Sequence, residues 1–279
     1  LDRRICAMSS ARFCERNGVK LRYEIRGQGE PLALIMGFSG SGRTWGEPFL
    51  REMERKFSMI VIDNRGTGES DKPDAPITLA ELATDAAAVL DHAGIRRSHV
   101  MGISMGGMIA QEYALNFGER VRGLVLGCTT CGMRKSVMGA PELINELMPQ
   151  PGLSPREQAR RGLSACSSEG FAKSEAGRAF VEARLDDMEG YPPTPPHTFQ
   201  RQMEAIMAFD TFDRLGQIKA PTLVITGTGD PLVPAQNSEI LRAGIPGAKL
   251  YQIPGAGHLF FWEAPEESAK AVTSFLEGR

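Results

Sequence analysis

Gly102-Ile103-Ser104-Met105-Gly106 stands between a short apolar run, Ser98–Ile103, and a helical pattern that continues through Glu112 to Phe117. A serine at such a strand-to-helix junction has its hydroxyl pushed into the open, and glycines on either side suit a backbone too crowded for a Cβ. The junction also puts Ser104 at a helix N-terminus, where free N–H groups and the positive dipole end favour a developing oxyanion. G-x-S-x-G arises by chance in many chains, so its weight depends on the pattern around it.

Outward from this junction, short buried-type strands alternate with helical stretches. The expected strands are 31–38, 57–63, 98–103, 121–127, 221–227 and 249–253. A turn dipeptide, Asn17-Gly18, centres an opening hairpin over 12–26. Thr78 with Glu81 forms a capping box ahead of Leu79, Leu82, Ala86, Val89 and Leu90 at helical spacing, predicting a helix over 78–93. Alternating βα units predict an α/β fold with a mostly parallel sheet covered on both faces. Between residues 132 and 213 the strand signal stops. Helical stretches there are separated by Pro149-Gln150-Pro151, Ser154-Pro155 and Tyr191-Pro-Pro-Thr-Pro-Pro196, which reads as a helical insertion dividing a core of 11–131 and 214–279. Met133, Met138, Met148, Met188, Met203 and Met207 fall within it and suit an adaptable apolar lining, although each could equally pack the insertion's own interior.

Composition bounds the function. The 279 residues carry 32 Lys+Arg against 34 Asp+Glu, and basic clusters stop at pairs such as Arg96-Arg97 and Arg160-Arg161. Neither nucleic-acid binding nor electrostatic membrane docking is expected from that balance. No apolar run reaches the ~18 residues of a membrane span, and Arg3 and Arg4 have no apolar segment behind them to make a signal peptide. Met8 is a plausible start, so residues 1–7 are expected to be non-native or upstream sequence and residues 1–10 to lack fixed structure. Five cysteines do not suggest a disulfide framework, and Cys128 and Cys131 read as inert packed thiols, which together predict a reducing, cytoplasmic setting. With no H-E-x-x-H, no spaced His/Cys set and no nucleotide-type glycine loop, neither a metal nor a cofactor is expected.

A serine hydroxyl needs a base. Of the four histidines, His92 ends a helix, His99 precedes a strand and His197 lies in the proline-rich part of the insertion, all suited to surface or capping roles. His258 follows the last strand in the loop Pro254-Gly255-Ala256-Gly257-His258, which can carry an imidazole over the sheet edge. Asp230, in Gly227-Thr-Gly-Asp230-Pro, is by itself an ordinary turn former. What singles it out is order: Ser104, Asp230 and His258 follow one another at the same ends of parallel strands. An acid near Cys128, after the preceding strand, is the alternative.

These motifs, together with Val233-Pro234 and Asp63-Asn-Arg65-Gly66-Thr-Gly68-Glu-Ser70, resemble the α/β-hydrolase family in its serine-nucleophile branch of esterases, lactonases, carbon–carbon hydrolases and cofactor-free haloperoxidases. The resemblance runs from about Gly18 to the C-terminal helix and is weakest in the insertion. It implies an eight-stranded sheet with antiparallel first connections, the insertion acting as a cap. Ser104 would attack a carbonyl, His258 would move the proton, and Asp230 would orient and steady the imidazolium. The oxyanion hole would use the N–H groups of Phe38 and Met105. Met36 stands where many members carry histidine, which alters the surroundings of that hole but not its backbone donors. Serine at the nucleophile position argues against the dehalogenases and epoxide hydrolases, which use aspartate, and Met36-Gly-Phe-Ser-Gly40 lacks the segment of proline iminopeptidases.

The expected activity is that of a carboxylesterase on small to medium, mainly apolar esters, with Trp45, Met133, Met203, Met207 and Leu259 as candidate substrate contacts. A lactonase or carbon–carbon hydrolase would use the same residues. A ligand-binding module of this fold is the reading from another class. The partner is thus a small-molecule ester or lactone; the sequence does not separate monomer from homodimer.

Overall fold

The computed structural model describes residues 11–278; the expectations placed on residues 1–10 lie outside the described residues. Strands β1 (Arg12–Arg16) and β2 (Val19–Arg26) form the opening hairpin. Its turn residues Asn17 and Gly18 have φ of 51° and 74°, the left-handed pair that matches the twist of a two-residue hairpin. There follow β3 (Glu30–Ile35), α1 (Glu47–Glu54), β4 (Phe57–Ile62), α2 (Leu79–His92), β5 (Ser98–Ile103), α3 (Met105–Asn116) and β6 (Val121–Gly127). After five helices, α4 (Pro141–Leu147), α5 (Pro155–Cys166), α6 (Glu169–Lys173), α7 (Glu175–Asp187) and α8 (Pro196–Ala208), the sheet resumes. It is completed by β7 (Thr222–Gly227), α9 (Gln236–Gly244), β8 (Lys249–Ile253), α10 (Phe260–Glu263) and α11 (Pro265–Glu277).

The sheet has eight strands in the order β1-β2-β4-β3-β5-β6-β7-β8, antiparallel up to β2–β4 and parallel from there on. Its central strands are apolar on both faces because helices cover both. In β3, Ala33 and Ile35 join one core with Leu82, Ile109, Tyr113 and Leu241, while Leu32 and Leu34 join the other with Phe49, Met53, Phe261 and Val272. The α2 capping box forms as read, Thr78 accepting from Glu81 N–H and Glu81 accepting from Thr78 N–H.

Strand β3 stops at Ile35 rather than continuing to Phe38. Met36 to Ser39 instead form a loop whose Met36 carbonyl accepts from Asn64 Nδ2 at 2.8 Å. Because Ile35 pairs with Gly102, this loop lies beside the carboxyl end of β5.

The helical insertion leaves and re-enters the core at one point. Gly132 and Asp210 form an isolated bridge, Thr211 N–H donates to Cys131 O at 2.8 Å, and Arg134 pairs with Asp210 and Asp213. Above this neck the insertion docks onto the core. Tyr191 donates to the buried Asp63 at 2.5 Å, Arg43 donates to Asp187 O, and His197 meets Lys72 O. Desolvation and the Asp63 charge push the Tyr191 phenol far up, so it remains a donor at any ordinary pH.

Candidate active site

Ser104 occupies the sharp turn between β5 and α3 with φ 57° and ψ −122°, a left-handed conformation that costs a non-glycine residue energy and is found where function holds it. The turn is possible because its flanks have no side chains. A Cβ on Gly102 would lie 2.0 Å from Gly106 O, and one on Gly106 would lie 2.1 Å from Ile35 O. The crowding that makes these glycines necessary also packs α3 tightly against β3 and β5. Ser104 N–H donates to Gly127 O, and Ser104 O accepts from Thr129 Oγ1 at 2.7 Å, so the neighbouring strand grips the turn from both sides.

Asp230 and His258 come to the same edge from β7 and β8. Asp230 Oδ2 lies 2.8 Å from His258 Nδ1, with both side chains buried. The other carboxylate oxygen accepts from the N–H groups of Leu232 and Val233 at 2.9 and 2.8 Å, so the loop that supplies the acid also fixes its rotamer. The insertion contributes as well: His258 N–H donates to Cys166 O at 2.9 Å from the end of α5, and Ser168 is anchored on Glu263. Burial disfavours the imidazolium, but the facing Asp230 carboxylate overrides it, and the His258 pKa stands well above the ordinary 6.5.

The Nε2 side of the ring faces Cys128 Sγ at 4.0 Å, and Ser104 Oγ makes no hydrogen bond among the described residues. Cys128 has φ 37° and follows β6 directly. Burial raises its pKa above the thiol value of 9.0, so at neutral pH it faces His258 as an uncharged thiol and Asp230 supplies the charge that acts on the ring. Sequence reasoning treated Cys128 as inert packing. The signal that could have placed it was the pairing of parallel strand ends, since Ile103 pairs with Gly127 and the next residues, Ser104 and Cys128, become neighbours. Cys128, Asp230 and His258 each offer a coordinating atom within 4.8 Å of the others. The Asp230–His258 hydrogen bond uses one atom of each, which leaves Cys128 Sγ and His258 Nε2 as what a cation could take.

The backbone donors named from the sequence belong to Met105 and Phe38; Gly37, just before Phe38, lies against Ser104, a Cβ added there falling 3.0 Å from Ser104 Cβ. Met105 is the first residue of α3, where an N–H has no acceptor inside its helix. Phe38 N–H meets no acceptor among the described residues, and its ring packs edge-on against Phe199 of α8, with centroids 5.5 Å apart.

The candidate substrate contacts separate. Leu259 follows His258 and is 6% exposed, and Met133 and Met203 are half-buried. Trp45 has no exposed surface: its ring stacks on Phe49 and meets Phe261 in the core beneath the sheet edge, so it packs the interior rather than a substrate. Met207 is 57% exposed on the outer side of α8. Met207→Ser is therefore expected to leave kcat/KM within about twofold for every acyl length in an ester series, because surface changes away from packed features have small effects. A length-dependent change would return Met207 to the substrate path. Among the other histidines, His99 is no surface residue: it is 2% exposed and lies 2.8 Å from Glu30.

A family model described as the alpha/beta hydrolase fold matches residues 30–265. The chain belongs to the α/β-hydrolase family. Among α/β-hydrolases, a RutD protein of Azorhizobium caulinodans, named for carbamate hydrolysis, is 31% identical over 267 residues, covering 91% of this chain and 94% of its own. The solved structure of the esterase RhEst1 from Rhodococcus sp. superposes with a TM-score of 0.80 at 26% identity, covering 96% of this chain and 98% of that one. Est816, described as an N-acyl homoserine lactone degrading enzyme, has a TM-score of 0.78 at 29% identity, with coverage of 95% and 100%. No helix among the described residues is long and apolar enough to cross a membrane.

Proposed function

We propose that this α/β-hydrolase cleaves carboxylic esters of small to medium, mainly apolar substrates through an acyl-enzyme on Ser104. The observation that carries the reading is the buried 2.8 Å pair of His258 Nδ1 and Asp230 Oδ2 at the sheet edge where Ser104 stands on its strained turn. His258 takes the Ser104 proton as Oγ attacks the carbonyl carbon, and the N–H groups of Phe38 and Met105 receive the oxyanion. The alcohol leaves with the proton from His258, and a water activated by the same ring releases the acid. Asp230 holds the Nδ1–H tautomer throughout. The insertion over residues 132–213 serves as the cap that shapes the acyl site. The free thiols of Cys14, Cys128, Cys131 and Cys166 suit a reducing, cytoplasmic setting.

A second reading is favoured by the relatives. The RutD protein is named for carbamates and Est816 for a lactone, and both bonds present a carbonyl that the same serine, base and oxyanion donors could serve. Turnover of p-nitrophenyl esters from acetate to palmitate, beside a butyrolactone series and an alkyl carbamate, tests the assignment. The ester reading expects the highest kcat/KM on short acyl esters. A preference of tenfold or more for lactone or carbamate would replace it with the second reading. No turnover of any of them by a folded protein would overturn both.

A further inference from the structure

The loop carrying the Phe38 donor is held partly by the insertion. Ser39, the next residue, has φ 56°, a left-handed conformation unusual for serine. Both of its backbone groups are taken by insertion side chains. Ser39 N–H donates to Gln202 Oε1 at 2.7 Å, and Ser39 O accepts from Thr194 Oγ1 at 2.8 Å. On the core side the same loop is tied through Met36 O to Asn64, and Met36 itself packs in the core. Gln202 lies on α8, nearly one turn after Phe199, whose ring packs on Phe38, so this face of α8 presses on the loop at two points.

Gln202 has no exposed surface, and its Nε2 has no hydrogen-bond partner among the described residues. The Ser39 N–H needs an acceptor, which fixes the amide with oxygen toward the loop and leaves the NH2 buried and unpaired. Leaving that NH2 unpaired costs stability, and a buried polar group left without a partner calls for an explanation.

We propose that Gln202 is a positioning residue for the oxyanion loop: by accepting the Ser39 N–H from the insertion it holds the Phe38 N–H in place beside Ser104, so that docking of α8 is a condition of acyl transfer. The inference rests on the Ser104 reading above. It acts through the loop and not on the substrate, so its loss should fall on transition-state stabilisation more than on ground-state binding. Thr194 supplies the second half of the clamp.

The test compares wild type, Gln202→Met, Gln202→Glu and Thr194→Val with p-nitrophenyl butyrate. Two ligands are run beside it: a trifluoromethyl ketone that adds to the serine as a tetrahedral adduct, and the matching N-alkyl amide as a ground-state analogue. Gln202→Met keeps the side chain's length but removes the acceptor. It is expected to lower kcat by roughly 10- to 100-fold, up to the loss of one oxyanion donor, with KM within twofold. Ketone affinity should weaken by the same factor and amide affinity should hold. Gln202→Glu, which retains an acceptor oxygen for Ser39, should restore most of kcat, and Thr194→Val should repeat the pattern more mildly. A Gln202→Met enzyme with kcat within twofold of wild type overturns the proposal. So does a loss shared equally by ketone and amide, which would mark a packing role. If Gln202→Met does not fold, Thr194→Val decides by the same ketone-to-amide comparison. Wild-type activity that survives Ser104→Ala would instead sink the underlying reading, a separate result from any of these.

Discussion

Ser104→Ala is expected to lower kcat on p-nitrophenyl acetate by about six orders of magnitude, the scale on which removal of a serine nucleophile falls in enzymes of this mechanism. The fold should survive. Ser104 Oγ holds no hydrogen bond among the described residues, and the turn is secured by backbone groups, Ser104 N–H on Gly127 and Ser104 O on Thr129. Alanine leaves all of these in place, so the melting temperature should change by no more than a few degrees while turnover disappears. The measurement is steady-state hydrolysis with a thermal melt on the same preparation. Substantial activity in the variant would remove Ser104 from the nucleophile role and direct attention to Cys128, whose thiol faces the same imidazole nitrogen; a Cys128→Ser substitution on that background would then separate the two.

The second large effect is expected at the acid. In Asp230→Asn the side-chain oxygen can still accept from Leu232 and Val233, which turns the new NH2 toward His258 Nδ1. The ring must then carry its proton on Nε2 and cannot accept one from serine, and a loss of about 10⁴ in kcat follows. The pH profile should move as well. In the wild type the Asp230 charge holds the His258 pKa well above 6.5 against the opposing effect of burial. The base works only when neutral, so activity is lost as pH falls through that raised value. Without the carboxylate, burial favours the neutral ring against only the smaller opposing effect of Cys128, so the acid limb of the residual activity should shift to lower pH. An undiminished rate, or an acid limb that stays in place, would assign the orienting role to another group.

Much of this was legible in the sequence because it is local. G-x-S-x-G, the Asn17-Gly18 turn and the Thr78–Glu81 capping box are each fixed within a few residues, and each forms as read. The order Ser104, Asp230, His258 could be read because parallel strands all send their following loops to one edge. What escaped depends on contacts between distant segments. Gln202 meets Ser39 across 163 positions, and nothing in the periodicity of α8 marks one of its buried positions as polar for a reason. Trp45 is a candidate substrate contact in the sequence, yet two aromatic side chains, Phe49 and Phe261, claim it for the core. The end of β3 was overestimated because Met36 and Phe38 are as apolar as the strand before them, and a hydrophobic run does not show where backbone pairing stops. His99 looked like a surface residue because its partner, Glu30, is 69 positions away.

The pairing of Gly132 with Asp210 has a further consequence. Chain entering and chain leaving the helical region meet across one bridge, reinforced by Arg134 on Asp210 and Asp213, so the strands on either side experience only two closely spaced ends. Closing a longer or shorter excursion between fixed ends changes the entropy of closure only with the logarithm of its length. Closure alone therefore sets little limit on the length of chain between these ends. Helices can be added, lost or exchanged there without altering the register of β6 and β7, provided that any replacement supplies its own hold on Ser39 and on the loop of His258.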